Sequence, residues 1–308
     1  MGKGRGAFVT LLTKPSYLAG TLVVDYGLRK VNSKYPFVAM ISLDLPQTCV
    51  DILKLRGIET VPIQRLTPKS MHNGIIKEER FRDTWCKLAI FQLVDYERVV
   101  LLDSDMLIRK NMDELIEMDL PGDWIAADHV CACNPRKFPH YPKDWTPENC
   151  AYSYAAYPPE VKEDSPRPYS LLNSGTVVLT PSEETYAALL EFLDTSPLVE
   201  GFLFPDQDLL ATFFHGRWKP LSYIYNALKT LRIIHKDLWR DEDVKCVHYI
   251  LSDKPWKHKP KNGGERDEHY EVNQWWWDEY NALGEGLLSS GIQENRDAWT
   301  YLESLVAK

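Results

Sequence analysis

Hydrophobic and polar positions alternate along the first hundred residues in a way that separates strands from helices. Ala7 to Leu12 is a short, mostly apolar run and predicts a strand. Ser16 to Val31 predicts a helix, because Leu18, Leu22 and Tyr26 recur four apart on one face. Phe37 to Ser42 predicts a second strand, and Pro46 to Arg56 a helix stopped by Gly57. Thr60 to Ile63 predicts a third strand, which Pro62 confines to a sheet edge or a strand end. Thr84 to Leu93 is expected to be helical and to lead into Val99 to Leu102. Those last four apolar residues read as a strand buried on both faces. Such strand–helix alternation predicts an α/β fold with a mostly parallel, doubly wound sheet.

The strand over Val99–Leu102 runs straight into Asp103-Ser104-Asp105. Ligands of open α/β sheets gather at the carboxyl ends of strands, where two carboxylates can hold a divalent metal through hard oxygen atoms. Taken alone, Asp-x-Asp is also an ordinary strand-to-loop turn. From Cys131 to Tyr169 the periodicity breaks down. Eight prolines and several aromatics in that stretch predict a long loop or insertion. Leu171 to Leu179 returns to strand character around Asn173-Ser174-Gly175. Ser182 to Leu193 predicts a helix with Ser182 as N-cap, and Asp206 to Phe214 another, preceded by Pro205. Lys257 to Glu268 is expected to be mobile, and the chain closes with Trp275-Trp276-Trp277 and a helix-like tail. No linker divides the chain, so residues 1–308 are expected to form one domain carrying the insertion and the Trp-rich tail.

Composition narrows the partners. The chain has 308 residues, 44% of them hydrophobic, enough to bury a substantial core. A formal charge of −8 without any basic run argues against nucleic acid as a partner. The basic, glycine-rich start is interrupted by Thr13-Lys14-Pro15, which argues against a signal-peptide core. No apolar window approaches the roughly 18 residues of a membrane span, so a cytoplasmic location is the expectation. Without a secretory signal, the six scattered cysteines are expected to be free thiols. Cys131, Cys133 and Cys150 suggest a zinc site weakly, because Cys-x-Cys lacks the usual gap and no fourth ligand is evident.

Five local patterns occur in order: Ala7 to Thr13; Leu101-Leu102-Asp103-Ser104-Asp105; Leu172-Asn173-Ser174-Gly175-Thr176; Pro205-Asp206-Gln207-Asp208-Leu209-Leu210; and Val247-His248-Tyr249-Ile250 with Lys254-Pro255-Trp256. In that order and spacing they resemble glycosyltransferase family 8, the nucleotide-sugar enzymes that include glycogenin and galactinol synthase. The resemblance covers roughly Ala7 to Trp256. It implies a GT-A fold and retaining transfer of a hexose from a UDP-sugar donor, usually with Mn²⁺, Mg²⁺ being the alternative.

By position, the resemblance makes Asp103, Asp105 and His248 the metal ligands and Lys254 the diphosphate contact. Leu11, Thr13 and Tyr17 fall around the uridine, with Ser104 counted in the same nucleotide-binding group. Asn173, Ser174 and Gly175 fall against the donor sugar. Asp206 is implied to bind sugar hydroxyls, and the Gln207 carbonyl to stabilise charge at the anomeric carbon. Lys87 is implied to hold sugar hydroxyls and neighbouring carboxylates. Covalent and front-face mechanisms both remain open at this point. One departure stands out: Leu251 occupies a loop position where glycogenin-like sequences carry glycine.

Within the family, a glycogenin-type self-glucosylated tyrosine is not expected, because Ala227 to Val247, after the Tyr225-Asn226 turn, contains no tyrosine. Tyr26 to Val31 with Lys34-Tyr35-Pro36, the Cys-x-Cys insertion and the Trp-rich segment before Asp278 resemble galactinol synthase. The leading expectation is therefore galactose transfer from UDP-galactose to myo-inositol. A UDP-glucose enzyme with another polyol or glycan acceptor is the alternative within the class. A catalytically silent sugar-nucleotide binder is the alternative from another class, opposed by the complete set of implied ligands. A nucleotidyltransferase is disfavoured because Thr10 to Pro15 has no glycine. The 131–169 insertion is a candidate acceptor lid or subunit contact, the latter compatible with a homodimer.

Overall fold

The computed structural model describes residues 6–66, 83–154, 156–260 and 267–307. The basic start of the chain and residues 261–266 of the stretch expected to be mobile lie outside the described residues. In chain order the regular elements begin with β1 (Ala7–Leu12), α1 (Leu18–Lys30), β2 (Phe37–Ser42), α2 (Gln47–Leu55) and β3 (Glu59–Ile63). Then come β4 (Val99–Leu102), β5 (Met106–Ile108), the one-turn α3 (Glu114–Glu117), β6 (Ile125–His129) and β7 (Leu172–Leu179). The remainder are α4 (Glu183–Thr195), α5 (Pro205–Phe213), β8 (Trp218–Pro220), β9 (Ala227–Leu228), α6 (Leu231–Ile234), β10 (Cys246–His248), α7 (Tyr270–Ser289) and α8 (Gln293–Glu303).

Seven strands form the central sheet in the order β3-β2-β1-β4-β7-β6-β8. Neighbours are parallel except β7, which runs antiparallel to both β4 and β6. Strand β3 lies at the edge, where a proline's missing N–H breaks no ladder. Both faces are covered, as the apolar β4 run requires: Val100 and Leu102 enter one core with Phe8 and Leu22, and Val99 and Leu101 enter another with Val9 and Leu189. Ser182 caps α4 as expected, its hydroxyl accepting the Thr185 N–H at 3.1 Å.

Two features depart from the sequence expectation. Thr84 to Gln92 is helical but winds as a 3₁₀ helix. Three residues per turn stacks Trp85, Leu88 and Phe91 in one buried row. The same period aligns Thr84 with Lys87 on a second row. A small second sheet, in the order β5-β10-β9, was not anticipated, because its strands have only two or three residues each. The two sheets meet at Asp103-Ser104-Asp105, which joins β4 of the first to β5 of the second.

Candidate active site

The junction between the sheets is built by strand register. His248 is the last residue of β10 and pairs with Met106 of β5, one position beyond Asp105. On the other side, the Asp103 N–H donates to the Gly175 carbonyl of β7 at 2.9 Å. The pairing therefore brings side chains from three distant parts of the chain to one strand end. Helix α1 packs tightly beneath it: a Cβ on Gly20 would lie 2.2 Å from the Ser104 carbonyl, so glycine is required for this approach.

Oxygen atoms of Asp103 and Asp105 and a ring nitrogen of His248 all lie within 4.8 Å of one another. His248 Nε2 stands 3.3 Å from Asp105 Oδ1 and 3.7 Å from Asp103 Oδ2. The tautomer of His248 follows from a chain of hydrogen bonds anchored on the main chain. The Gly175 N–H donates to Asn173 Oδ1 at 3.1 Å, which sets the orientation of that amide. Asn226 Nδ2 donates to the same Asn173 oxygen at 2.8 Å, leaving Asn226 Oδ1 as an acceptor. His248 Nδ1, 2.8 Å away, must then carry the proton it donates to Asn226. Its Nε2 lone pair faces two carboxylates. A donor set of two carboxylate groups and a neutral imidazole fits a divalent cation such as Mn²⁺, and a histidine that ligates a metal usually donates its other ring N–H to a fixed acceptor, as His248 does to Asn226. The same chain runs the other way, for Asn173 Nδ2 donates to Gln207 Oε1 at 3.2 Å.

Two lysines bracket these groups. Lys87, on the 3₁₀ helix, bridges Asp103 Oδ1 at 2.7 Å and Asp206 Oδ2 at 2.9 Å. Burial pulls its pKa down, but the Asp103 and Asp206 charges outweigh that and hold it well above an ordinary lysine. Asp206 Oδ2 also accepts the Ser174 hydroxyl at 2.7 Å. Lys254 pairs with Asp105 Oδ2 and donates to the Tyr249 carbonyl at 2.8 Å. Burial alone would raise the Asp105 carboxyl, yet the Lys254 charge, helped by its hydrogen bond, holds it well below the usual carboxylate range. Asp103 goes the other way: burial raises it, Lys87 offsets part of the rise, and the Asp105 charge adds to it.

These residues open onto a cavity of about 360 Å³. Tyr17, Lys87, Asp103, Asp105, His248 and Lys254 line it, as do Asn173, Ser174, Gly175, Asp206 and Gln207. Leu11, Thr13 and Ser104 are not among its lining residues. Ser104 is turned inward, donating to the Leu11 carbonyl at 2.9 Å and meeting Thr10 Oγ1 at 3.1 Å. Leu251 also lines the cavity, and its φ of 72° is the left-handed conformation that glycine favours. The backbone shape expected of a glycine is therefore kept in spite of the side chain.

The sequence reading missed Asn226, and it gave the insertion as a candidate acceptor lid without naming its lining residues. Asn226 was visible as a turn residue, but its role depends on parallel pairing of β9 with β10. The insertion supplies a wall of Phe138, Tyr141 and Trp145, joined by Phe204, whose ring stacks on Trp145 at 5.4 Å and 15°. Of the tryptophans near the end, Trp276 and Trp277 are buried and none of the three lines the cavity. Trp276 packs 5.5 Å from Trp256, and Trp277 Nε1 donates to the Pro255 carbonyl at 2.9 Å. The tail thus braces the loop that presents Lys254.

No helix among the described residues is long and apolar enough to cross a membrane. In structure, the chain is similar to the glycosyltransferase GlyE of Streptococcus pneumoniae TIGR4, with a TM-score of 0.59 at 17% identity over 99% of this chain and 66% of GlyE. It is also similar to the galactosyltransferase LgtC in complex with donor and acceptor sugar analogs, with a TM-score of 0.58 at 15% identity, covering 95% of this chain and 99% of LgtC. In sequence, it is 30% identical over 299 residues to galactinol synthase 1 of Solanum lycopersicum, covering 96% of this chain and 88% of that protein. Galactinol synthase 7 of Arabidopsis thaliana is 29% identical over 283 residues, covering 89% and 81%. The model of glycosyl transferase family 8 matches residues 8–259. With the fold, the strand-end carboxylates and these similarities in agreement, the chain belongs to glycosyl transferase family 8 and is a hexosyltransferase of the GT-A fold.

Proposed function

We propose that the protein transfers galactose from UDP-galactose to myo-inositol, with retention at the anomeric carbon and with Mn²⁺ as the resident cation. The observation that carries the reading is the relay from Gln207 through Asn173 and Asn226 to His248, which leaves a bare Nε2 facing Asp103 and Asp105. Similarity to galactinol synthases along nearly the whole chain supports the choice of donor and acceptor. A cation held by Asp103, Asp105 and His248 would neutralise the donor diphosphate and stabilise charge building on the leaving UDP.

The protein's own groups do the rest. Lys254, held by Asp105 and the Tyr249 carbonyl, supplies a positive charge beside the diphosphate. The uridine side is assigned to Tyr17, which lines the cavity, while Leu11, Thr13 and Ser104 do not line it and Ser104 acts only through its bond to the Leu11 carbonyl at the end of β1. Asp206 has an oxygen already engaged by Lys87 and Ser174, which suits it to receive sugar hydroxyls rather than to attack. Asn173, Ser174 and Gly175 hold the donor sugar from β7. The Gln207 carboxamide is oriented by Asn173 and places a partial negative charge toward the anomeric carbon, where positive charge develops. The apolar C–H face of a cyclic polyol matches the Phe138, Tyr141 and Trp145 wall. Residues 1–308 act as one catalytic domain, and the location is cytoplasmic.

The test is mass spectrometry of products formed with Mn²⁺, UDP-galactose and myo-inositol, with UDP-glucose run in parallel. A hexosyl-inositol from UDP-galactose alone supports the assignment. The same product from UDP-glucose overturns the donor, and UDP release without any hexosyl-inositol overturns the acceptor. Absence of turnover from both donors overturns the catalytic reading in favour of a sugar-nucleotide binder.

A further inference from the structure

A second cluster of potential metal ligands lies outside the site described so far. Cys131 and Cys133 follow β6 directly, and Cys150 sits where two short 3₁₀ turns meet, Pro147–Asn149 and Ala151–Ser153. His235, which ends α6, reaches the same point from a segment 85 residues beyond Cys150. Its Nε2 lies 3.2 Å from Cys133 Sγ, 3.6 Å from Cys131 Sγ and 3.7 Å from Cys150 Sγ. Cys131 and Cys150 are 4.0 Å apart between sulfurs, and all six cysteines of the chain are free. Cys133, Cys150 and His235 are buried, and Cys131 is half-buried.

These distances can be compared with tetrahedral zinc. Bonds of about 2.3 Å to sulfur and about 2.0–2.1 Å to nitrogen imply roughly 3.6 Å between sulfur and nitrogen and roughly 3.8 Å between sulfurs. The observed separations fall within a few tenths of an ångström of those values. Thiols are weak hydrogen-bond partners, so hydrogen bonding offers little reason to gather three of them on one imidazole nitrogen. Three soft sulfurs and one imidazole select zinc over the harder divalent ions suited to the carboxylate site.

We propose that Cys131, Cys133, Cys150 and His235 bind one zinc ion as a closed, structural site. Four protein ligands leave no open position for chemistry. The ion ties the proline-rich insertion to α6, two segments that both contribute residues to the cavity lining. Phe138, Tyr141 and Trp145 lie within the loop closed between Cys133 and Cys150, while Thr230 and Ile234 line the cavity from the α6 side. Zinc would therefore set the shape of the acceptor wall without touching the donor.

The test is the metal content of the full chain purified without added metal, read by elemental mass spectrometry. The expected result is about one zinc per chain, retained in Asp105→Ala and His235→Cys and lost in Cys133→Ser. Because a serine variant can fail to fold, the parent protein is also produced in cobalt-supplemented medium. Tetrahedral Co²⁺ with thiolate-to-metal charge transfer is then expected in its absorption spectrum. A mercurial thiol reagent should release the zinc and expose 131–150 to protease. Zinc-free parent protein, zinc loss in Asp105→Ala, or a Cys131–Cys150 disulfide detected in intact, metal-free protein would each overturn the proposal. None of these outcomes bears on the identity of the sugar donor.

Discussion

Replacing Gly175 with alanine perturbs the centre of the site with a single methyl group. The added Cβ would lie 2.4 Å from His248 Cε1 and 2.5 Å from its Nδ1, and 3.0 Å from Asn173 Oδ1. Non-bonded carbon atoms settle at about 3.5–4.0 Å, so the imidazole must retreat by about 1 Å. That movement breaks the 2.8 Å bond from Nδ1 to Asn226 and turns Nε2 away from the carboxylates. Loss of an outer-shell partner typically costs about 10–100-fold in metal affinity. At about 1.4 kcal/mol per tenfold this is about 1.4–2.8 kcal/mol of binding, and overpacking adds about 1–3 kcal/mol of destabilisation. The assay is UDP release titrated with Mn²⁺ at saturating UDP-galactose, paired with thermal unfolding. We expect half-saturation to move to at least tenfold higher Mn²⁺. Gly122→Ala serves as the control, since a Cβ there meets nothing within 4 Å. An unchanged Mn²⁺ titration in Gly175→Ala would refute the argument that this glycine makes room for a metal-binding histidine.

Lys87→Met leaves Asp103 and Asp206 facing each other without a cation. Removing one partner of a buried pair costs about 3–5 kcal/mol, so the variant should melt well below the parent and lose most of its turnover; a parental melting temperature would contradict the bridge. Gln207→Ala should lower kcat far more than it raises the KM for donor if the carboxamide acts on the transition state. Matching changes in both would assign it to positioning instead. Leu251→Gly trades backbone strain of about 1–3 kcal/mol against the lost side chain and about 0.5–1 kcal/mol of glycine entropy. Chemical denaturation should place it within about 1 kcal/mol of the parent, and a loss of several would show that the leucine side chain carries the loop.

Much of this architecture was legible in the chain itself because strand and helix periodicity is a property of neighbours in sequence. β1 and β2 begin and end where their apolar runs do, and the Pro62 strand lies at the edge. The apolar four-residue run before Asp103 also implied burial on both faces, which the two cores supply. The candidate site was legible as five ordered motifs, each carrying its own polar residues at a strand end or a helix start. Thr84–Gln92 shows the limit of such reading. Six of its nine residues are buried apolar side chains, which leaves a weak amphipathic stripe, so its 3₁₀ winding is chosen by the surfaces packed around it.

What the sequence determined by itself is the set of local elements and the chemical types waiting at their ends. The tertiary structure decided which of those groups meet. The antiparallel insertion of β7 next to β4 carries Asn173 to Gln207 and Asn226, and pairing of β10 with β5 turns His248 toward Asp103 and Asp105. Likewise, Cys150 and His235 share a centre although no local pattern relates them. Such meetings depend on contacts between segments far apart in the chain. Their positions follow from burying both faces of the sheet at once, and no rhythm of adjacent residues encodes that condition.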